Sequence, residues 1–202
     1  MRKYNLGFIT DEDIFIHVKE TVQRYSASIN LKEFNKNNVD PIKLTFDAKV
    51  YGRTMEEVVA SECIRQMDKS NNNHIGYFHQ NLFRYAGNGW SVPKVGFDVV
   101  NEEKHIFALL IDDVLKLKES AINKINIKLL NKLMYDNKAI CMVVNLSEFS
   151  IEEKPWIIDS DDGYYEKSLR YLSIKKFYEV VFGETDAYEQ VANALPLILE
   201  EL

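Results

Sequence analysis

The sequence predicts an α/β fold, a mixed central sheet flanked by helices in a single domain. Three observations carry this expectation. Apolar residues recur at helical spacing in several segments, and short runs rich in Val, Ile and Phe lie between them. Two of those runs, Val95 to Val100 and His105 to Ile111, flank a four-residue polar turn, Asn101-Glu102-Glu103-Lys104, so they should pair antiparallel. The 202 residues show no internal repeat and no change of composition, and that length suffices for one sizeable core.

Taken in order, Thr10 and Asp13 have the spacing of a capping box, and Ile14, Phe15, Val18 and Val22 continue it as a helix from about Asp11 to Tyr25. Asn30 to Val50 is less regular, and Leu44 to Gly52 reads as a short strand or an extended connection opened by Pro41. Thr54 and Glu57 repeat the capping box. Val59, Cys63 and Met67 then mark a helix from Met55 to about Lys69. The Asn-rich junction Asn71-Asn72-Asn73-His74 separates it from an aromatic helical stretch, Ile75 to Ala86, which Gly87-Asn88-Gly89 closes. After the strand pair, Val114, Leu117, Ala121, Ile122, Ile125, Leu129 and Leu133 mark one face of a long helix from Asp113 to about Tyr135. Lys124, Lys128 and Lys132 form a stripe beside that face, a solvated surface or a phosphate track. Lys138 to Asn145 reads as a buried strand. Trp156 to Ile158 and Leu169 to Leu172 read as edge strands around the turn Asp161-Asp162-Gly163, and Ser173 to Val181 and Ala187 to Leu202 as closing helices.

Composition narrows the function classes. A net charge of −6 argues against non-specific coating of nucleic acid, though not against a local basic groove. Cys63 and Cys141 have neither metal-ligand spacing nor a disulfide framework, and both read as reduced core residues. No apolar run approaches 18 residues and the opening residues lack a signal-peptide core, so a cytoplasmic protein is expected. Gly-rich phosphate loops, zinc spacings and Ser/His/Asp groupings are missing from the sequence, which gives other enzyme classes little support.

The chemistry-bearing residues cluster between Ser61 and Ile111. Asp98 is the single acid of the first strand, and Glu62 lies off the apolar stripe of its helix, on the flank with Gln66 and Lys69. A strand acid facing a helix acid is half of a magnesium site for phosphodiester hydrolysis. Each has a plainer reading: Asp98 as a surface or capping acid, Glu62 on a solvated flank, and Asn71 to His74 as a helix C-cap.

The stretches SECIRQMDKSNNNHIGYFHQNLFRY and GWSVPKVGFDVVNEEKHIF, with the opening NLGFITDEDIF, resemble the type II restriction endonucleases that cut GGNCC sites. The likeness extends through KAICMVV to SIKKFYEVVFG, nearly the whole chain. It implies a restriction-endonuclease-like fold of the PD-(D/E)xK superfamily, Mg²⁺ as cofactor, double-stranded DNA as partner and a homodimer. By this resemblance Asp98 is a metal ligand and catalytic residue, Glu62 a second catalytic acid, and Lys69, Asn73 and His74 face DNA. The departure lies on the second strand. The resemblance expects Glu-x-Lys there, and its positions fall on Leu109 and Ile111, which can neither ligate a hard cation nor activate water. Two readings follow: a magnesium-dependent endonuclease, or a nuclease-fold protein whose active-site strand was rewritten as apolar.

Overall fold

A computed structural model of the protein describes residues 2–25, 39–150, 152–158 and 167–202. Contacts divide the chain into two compact units, residues 20–77 and residues 1–19 with 78–202. The larger unit is a six-stranded mixed sheet with helices on both faces. Its strands are β1 (Trp90–Ser91), β2 (Val99–Asn101), β3 (Ile106–Ile111), β4 (Ile140–Asn145), β5 (Glu153–Pro155) and β6 (Leu169–Ser173), in the spatial order β1-β2-β3-β4-β6-β5. β2 and β3 are antiparallel, while β3, β4 and β6 run parallel.

Strand alternation sorts the core into two halves. Ile106 and Ala108 of β3, with Met142 and Val144 of β4, join the first half. It is completed by Ile14 and Val18 of α1 (Asp11–Arg24), by Phe177 and Tyr178 of α5 (Ile174–Phe182), and by Val191 and Ile198 of α6 (Ala187–Leu199). Phe107 and Leu109 of β3, with Cys141 and Val143 of β4, face the other way, onto Ile125 and Leu129 of α4 (Glu119–Tyr135). β4 is buried along nearly its whole length, as a parallel strand covered on both faces must be.

Local signals explain most boundaries. The Thr10 hydroxyl accepts the Asp13 N–H at 3.1 Å and starts α1. The Ser173 hydroxyl accepts the Lys176 N–H at 3.2 Å to start α5, and Gly183, in the left-handed region, ends it.

Several expectations are corrected. Leu44 to Gly52 is no strand: residues Pro41–Val50 form helix α2, with Asp40 capping the Ile42 N–H at 2.9 Å and Pro41 in the first turn. Local capping there outweighs the strand-like content of Leu44, Thr45 and Phe46. The Asn71–His74 junction is no helix end, because α3 runs unbroken over Met55–Leu82. Three interior Asn residues cost about 0.5–0.7 kcal/mol each against Ala. Burial of Phe78 and Leu82 in the first core half contributes roughly 1.5–3 kcal/mol each, which offsets that cost. Val95 to Asp98 is not strand either. Gly96 takes φ +94° and Val95 is 85% exposed, so β2 begins only at Val99. The helix expected from Asp113 is interrupted: a 3₁₀ turn, Val114–Lys116, precedes an extended Leu117, and α4 starts at Glu119. Ile125 and Leu129 are buried as expected, whereas Ile122 and Leu133 are half-buried. Trp156 follows edge strand β5 instead of beginning one, and β6 is an interior strand. The turn at Asp161 to Gly163 lies outside the described residues.

Candidate functional site

Asp98 sits just before β2, where the backbone ladder with β3 gives out. Its N–H donates to the Ala108 carbonyl at 2.9 Å, and its carboxylate Oδ2 accepts the Leu110 N–H at 2.8 Å. The side chain thus takes the place of a main-chain acceptor that β2 is too short to supply. Its carbonyl accepts the Gln80 side-chain amide at 3.3 Å. Burial raises the Asp98 carboxyl above the ordinary aspartate range, against the opposing pull of the Leu110 N–H and the Lys128 ammonium.

Beside Asp98, the odd-numbered face of β3 is apolar. Leu109 is 5% exposed and packs in the core half that contains Val100, Phe107, Ile125 and Leu129, and Ile111 is half-buried against the same cluster. The lysine stripe of α4 belongs to this face in part. Lys128 Nζ donates to the Gly96 carbonyl at 2.5 Å and lies 5.2 Å from the Phe97 ring centre. Lys132 Nζ lies 3.6 Å over the Phe107 ring. Those two ammonium groups are therefore tethered to aromatic rings, and Lys124 is the exposed member. Asp113, just after β3, caps the 3₁₀ turn Val114–Lys116 by accepting the Leu115 N–H at 3.0 Å, and it pairs with Lys116 at 2.8 Å.

Glu62 belongs to the smaller unit. It is 9% exposed and is gripped by its own helix: Arg65 Nε donates to Oε2 at 2.7 Å, Arg65 NH2 to Oε1 at 2.5 Å, and Gln66 Nε2 to Oε1 at 3.1 Å. The Arg65 fork, helped by Gln66, pulls its pKa down to about 2. The flank of α3 that carries it is the wall of a cleft. Glu62, Gln66, Lys69 and Asn73 recur at intervals of three or four along that helix and so share one face. Lys69 and Asn73 are exposed, whereas His74 is half-buried, its ring centre 6.5 Å from that of Tyr25. Its buried Nδ1 has no hydrogen-bond partner among the described residues.

Comparison with known proteins identifies the lineage. A profile of the Eco47II restriction endonuclease family matches residues 6–202. The chain belongs to that family. It is 30% identical over 215 residues to the type II restriction enzyme Sau96I of Staphylococcus aureus, covering 97% of this chain and 80% of that one. It is 29% identical over 218 residues to the type II restriction enzyme Eco47II of Escherichia coli, covering 96% and 87%. No solved structure matches it significantly.

Among the described residues, the side chains beside Asp98 do not fit the magnesium that the family resemblance implies. Among the described residues no three His, Cys, Asp or Glu side chains come together as a cation site. Asp98 offers a carboxylate already engaged by a backbone N–H, and its neighbours on β3 are the hydrocarbon side chains of Leu109 and Ile111. A magnesium ion bound there would keep nearly all its waters. Sequence reading did not find the Lys128 tether or the Arg65 fork on Glu62. The fork had a visible signal, the Glu62/Arg65/Gln66 spacing of three and four on a helix that Thr54 and Glu57 cap. The tether had none, because it joins residues 32 positions apart.

Proposed function

We propose that this restriction endonuclease family member acts on double-stranded DNA within a restriction–modification system, with GGNCC as its site. The observation that carries this reading is the family match over residues 6–202, shared with two type II restriction enzymes aligned over almost the entire chain. A twofold-symmetric site suits a homodimer, each copy reading one half, and the cytoplasm is where such a protein meets its DNA. No helix among the described residues is long and apolar enough to cross a membrane.

For the reaction, descent points to magnesium-dependent phosphodiester hydrolysis, with Asp98 as ligand and Glu62 as a further acid. A second reading has its own observation, the burial of Leu109 and Ile111 in an apolar core half. It describes a protein that holds duplex DNA and hydrolyses it far more slowly than its relatives, and the geometry favours it. Loss of one preorganised electrostatic group typically costs about 10²–10³ in rate. The deciding experiment incubates the purified protein and magnesium with plasmid carrying GGNCC sites, alongside gel-shift assays on GGNCC and scrambled duplexes. Selective retention without cutting supports the second reading, and efficient cutting at GGNCC supports hydrolysis through other residues. Equal affinity for both duplexes, or none for either, overturns the GGNCC assignment.

A further inference from the structure

A cleft of about 150 Å³ opens between α2 and the start of α3, entirely within the smaller unit. Five of the side chains lining it are charged: Lys43, Arg53 and Arg65 against Asp47 and Glu62. Four of them pair off. Lys43 bridges Asp47 one turn along α2, and Arg65 holds Glu62 through its two-pronged contact. Arg53 is left over. Its NH1 donates to the Ser61 hydroxyl at 3.3 Å, a neutral partner, and among the described residues it makes no ion pair. That hydroxyl donates in turn to the Glu57 carbonyl at 2.9 Å, so the serine oxygen is oriented before it receives the arginine. The result is an exposed guanidinium, steadied at a cleft of net positive charge, with most of its N–H groups unused among the described residues.

We propose that this cleft takes one backbone phosphate of duplex DNA, with Arg53 donating to its non-bridging oxygens. A planar guanidinium matches paired phosphate oxygens, and the lining's single excess positive charge matches the single negative charge of a phosphodiester. Lys43 and Arg65 are neutralised by their own carboxylates and shape the site instead of adding to its charge. The contact is blind to base sequence, and it positions the protein on its duplex. This inference rests on the DNA-binding reading above.

The test measures the salt dependence of binding to GGNCC and scrambled duplexes for the wild type, Arg53→Ala and Arg53→Lys. Neutralising one phosphate changes the slope of log affinity against log salt by about 0.9. Between 50 and 200 mM salt the wild type should therefore lose about 3.5-fold more affinity than Arg53→Ala. The loss should be equal on both duplexes, and Arg53→Lys should keep the wild-type slope. Arg53 is exposed and Ser61 retains its Glu57 partner without it, so circular dichroism and melting temperature should stay unchanged. A wild type that binds with a slope Arg53→Ala does not alter overturns the phosphate contact and leaves the DNA reading standing. An effect confined to the GGNCC duplex also overturns it, by assigning Arg53 to base reading. If inorganic phosphate raises the melting temperature of the wild type but not of Arg53→Ala, with the DNA slope unaltered, the cleft belongs to free phosphate and the inference fails. A wild type that binds no duplex removes both readings together.

Discussion

Replacing Leu109 with glutamate puts the missing acid back where the family resemblance expects it, and the structure says what this does to the fold. Leu109 is 5% exposed, among Val100, Phe107, Ile125, Leu129, Cys141 and Val143. Removing the leucine forfeits roughly 1.5–3 kcal/mol of burial. The new carboxyl is set among hydrocarbon side chains, so burial drives its pKa upward. Together these should destabilise Leu109→Glu by about 3–5 kcal/mol near neutral pH. For a chain of this size that is a fall in melting temperature of roughly 6–20 °C, at about 2–4 °C per kcal/mol. The pH dependence has a definite sign. A carboxyl whose folded pKa lies above its unfolded value of about 4.3 stabilises the fold less and less as pH rises through that interval. The deficit relative to wild type should therefore widen from pH 4 to pH 8. Differential scanning fluorimetry across that range measures it. A melting temperature unchanged at pH 8, with no slope in pH, would mean that position 109 meets water, and the argument for an apolar, cation-free face of β3 would collapse.

Three further outcomes are expected. Asp98→Ala should cost about 1–3 kcal/mol because it orphans the Leu110 N–H, whereas Asp98→Asn, which keeps an acceptor, should lie within about 1 kcal/mol of wild type; denaturant midpoints distinguish the two. Glu62 has a pKa lowered to about 2, so its contribution is fully present above its unfolded value and disappears as pH falls from about 4.5 towards 2. Arg65 is 60% exposed, which limits that contribution to about 1 kcal/mol, and Glu62→Gln should flatten this part of the acid-unfolding curve. Ser173→Ala should destabilise by about 1–2 kcal/mol in urea titration, since the buried hydroxyl caps α5 and also accepts the Glu152 N–H at 3.2 Å.

The elements legible in the sequence were those whose signals are local. Capping boxes at Thr10 and Thr54, the strand pair around Asn101 to Lys104, and the buried run before Asn145 all became the structures they announced. That Leu109 and Ile111 are hydrocarbon where the family resemblance expects an acid and a lysine was equally legible, because residue identity needs no coordinates. What failed was reading continuity. Asn71 to His74 looked like a break, yet a helix anchored by Phe78 and Leu82 runs through it. Val95 to Phe97 looked like strand, yet Gly96 in the left-handed half of backbone space and the Lys128 tether from α4 hold it as a loop.

The sequence by itself determined the lineage, the α/β class and the apolar character of positions 109 and 111, because each is a property of residue identity and short-range spacing. Tertiary structure alone decided what the remaining polar groups do. Asp98 is turned to the Leu110 N–H because β2 begins only at Val99 and supplies no carbonyl there. Lys128 and Lys132 of α4 lie on Phe97 and Phe107 because the fold brings rings from other segments beneath them. Among the described residues Arg53 is left without a carboxylate because its neighbours pair with each other, and such partner choice is settled by distance in space, which residue order does not encode.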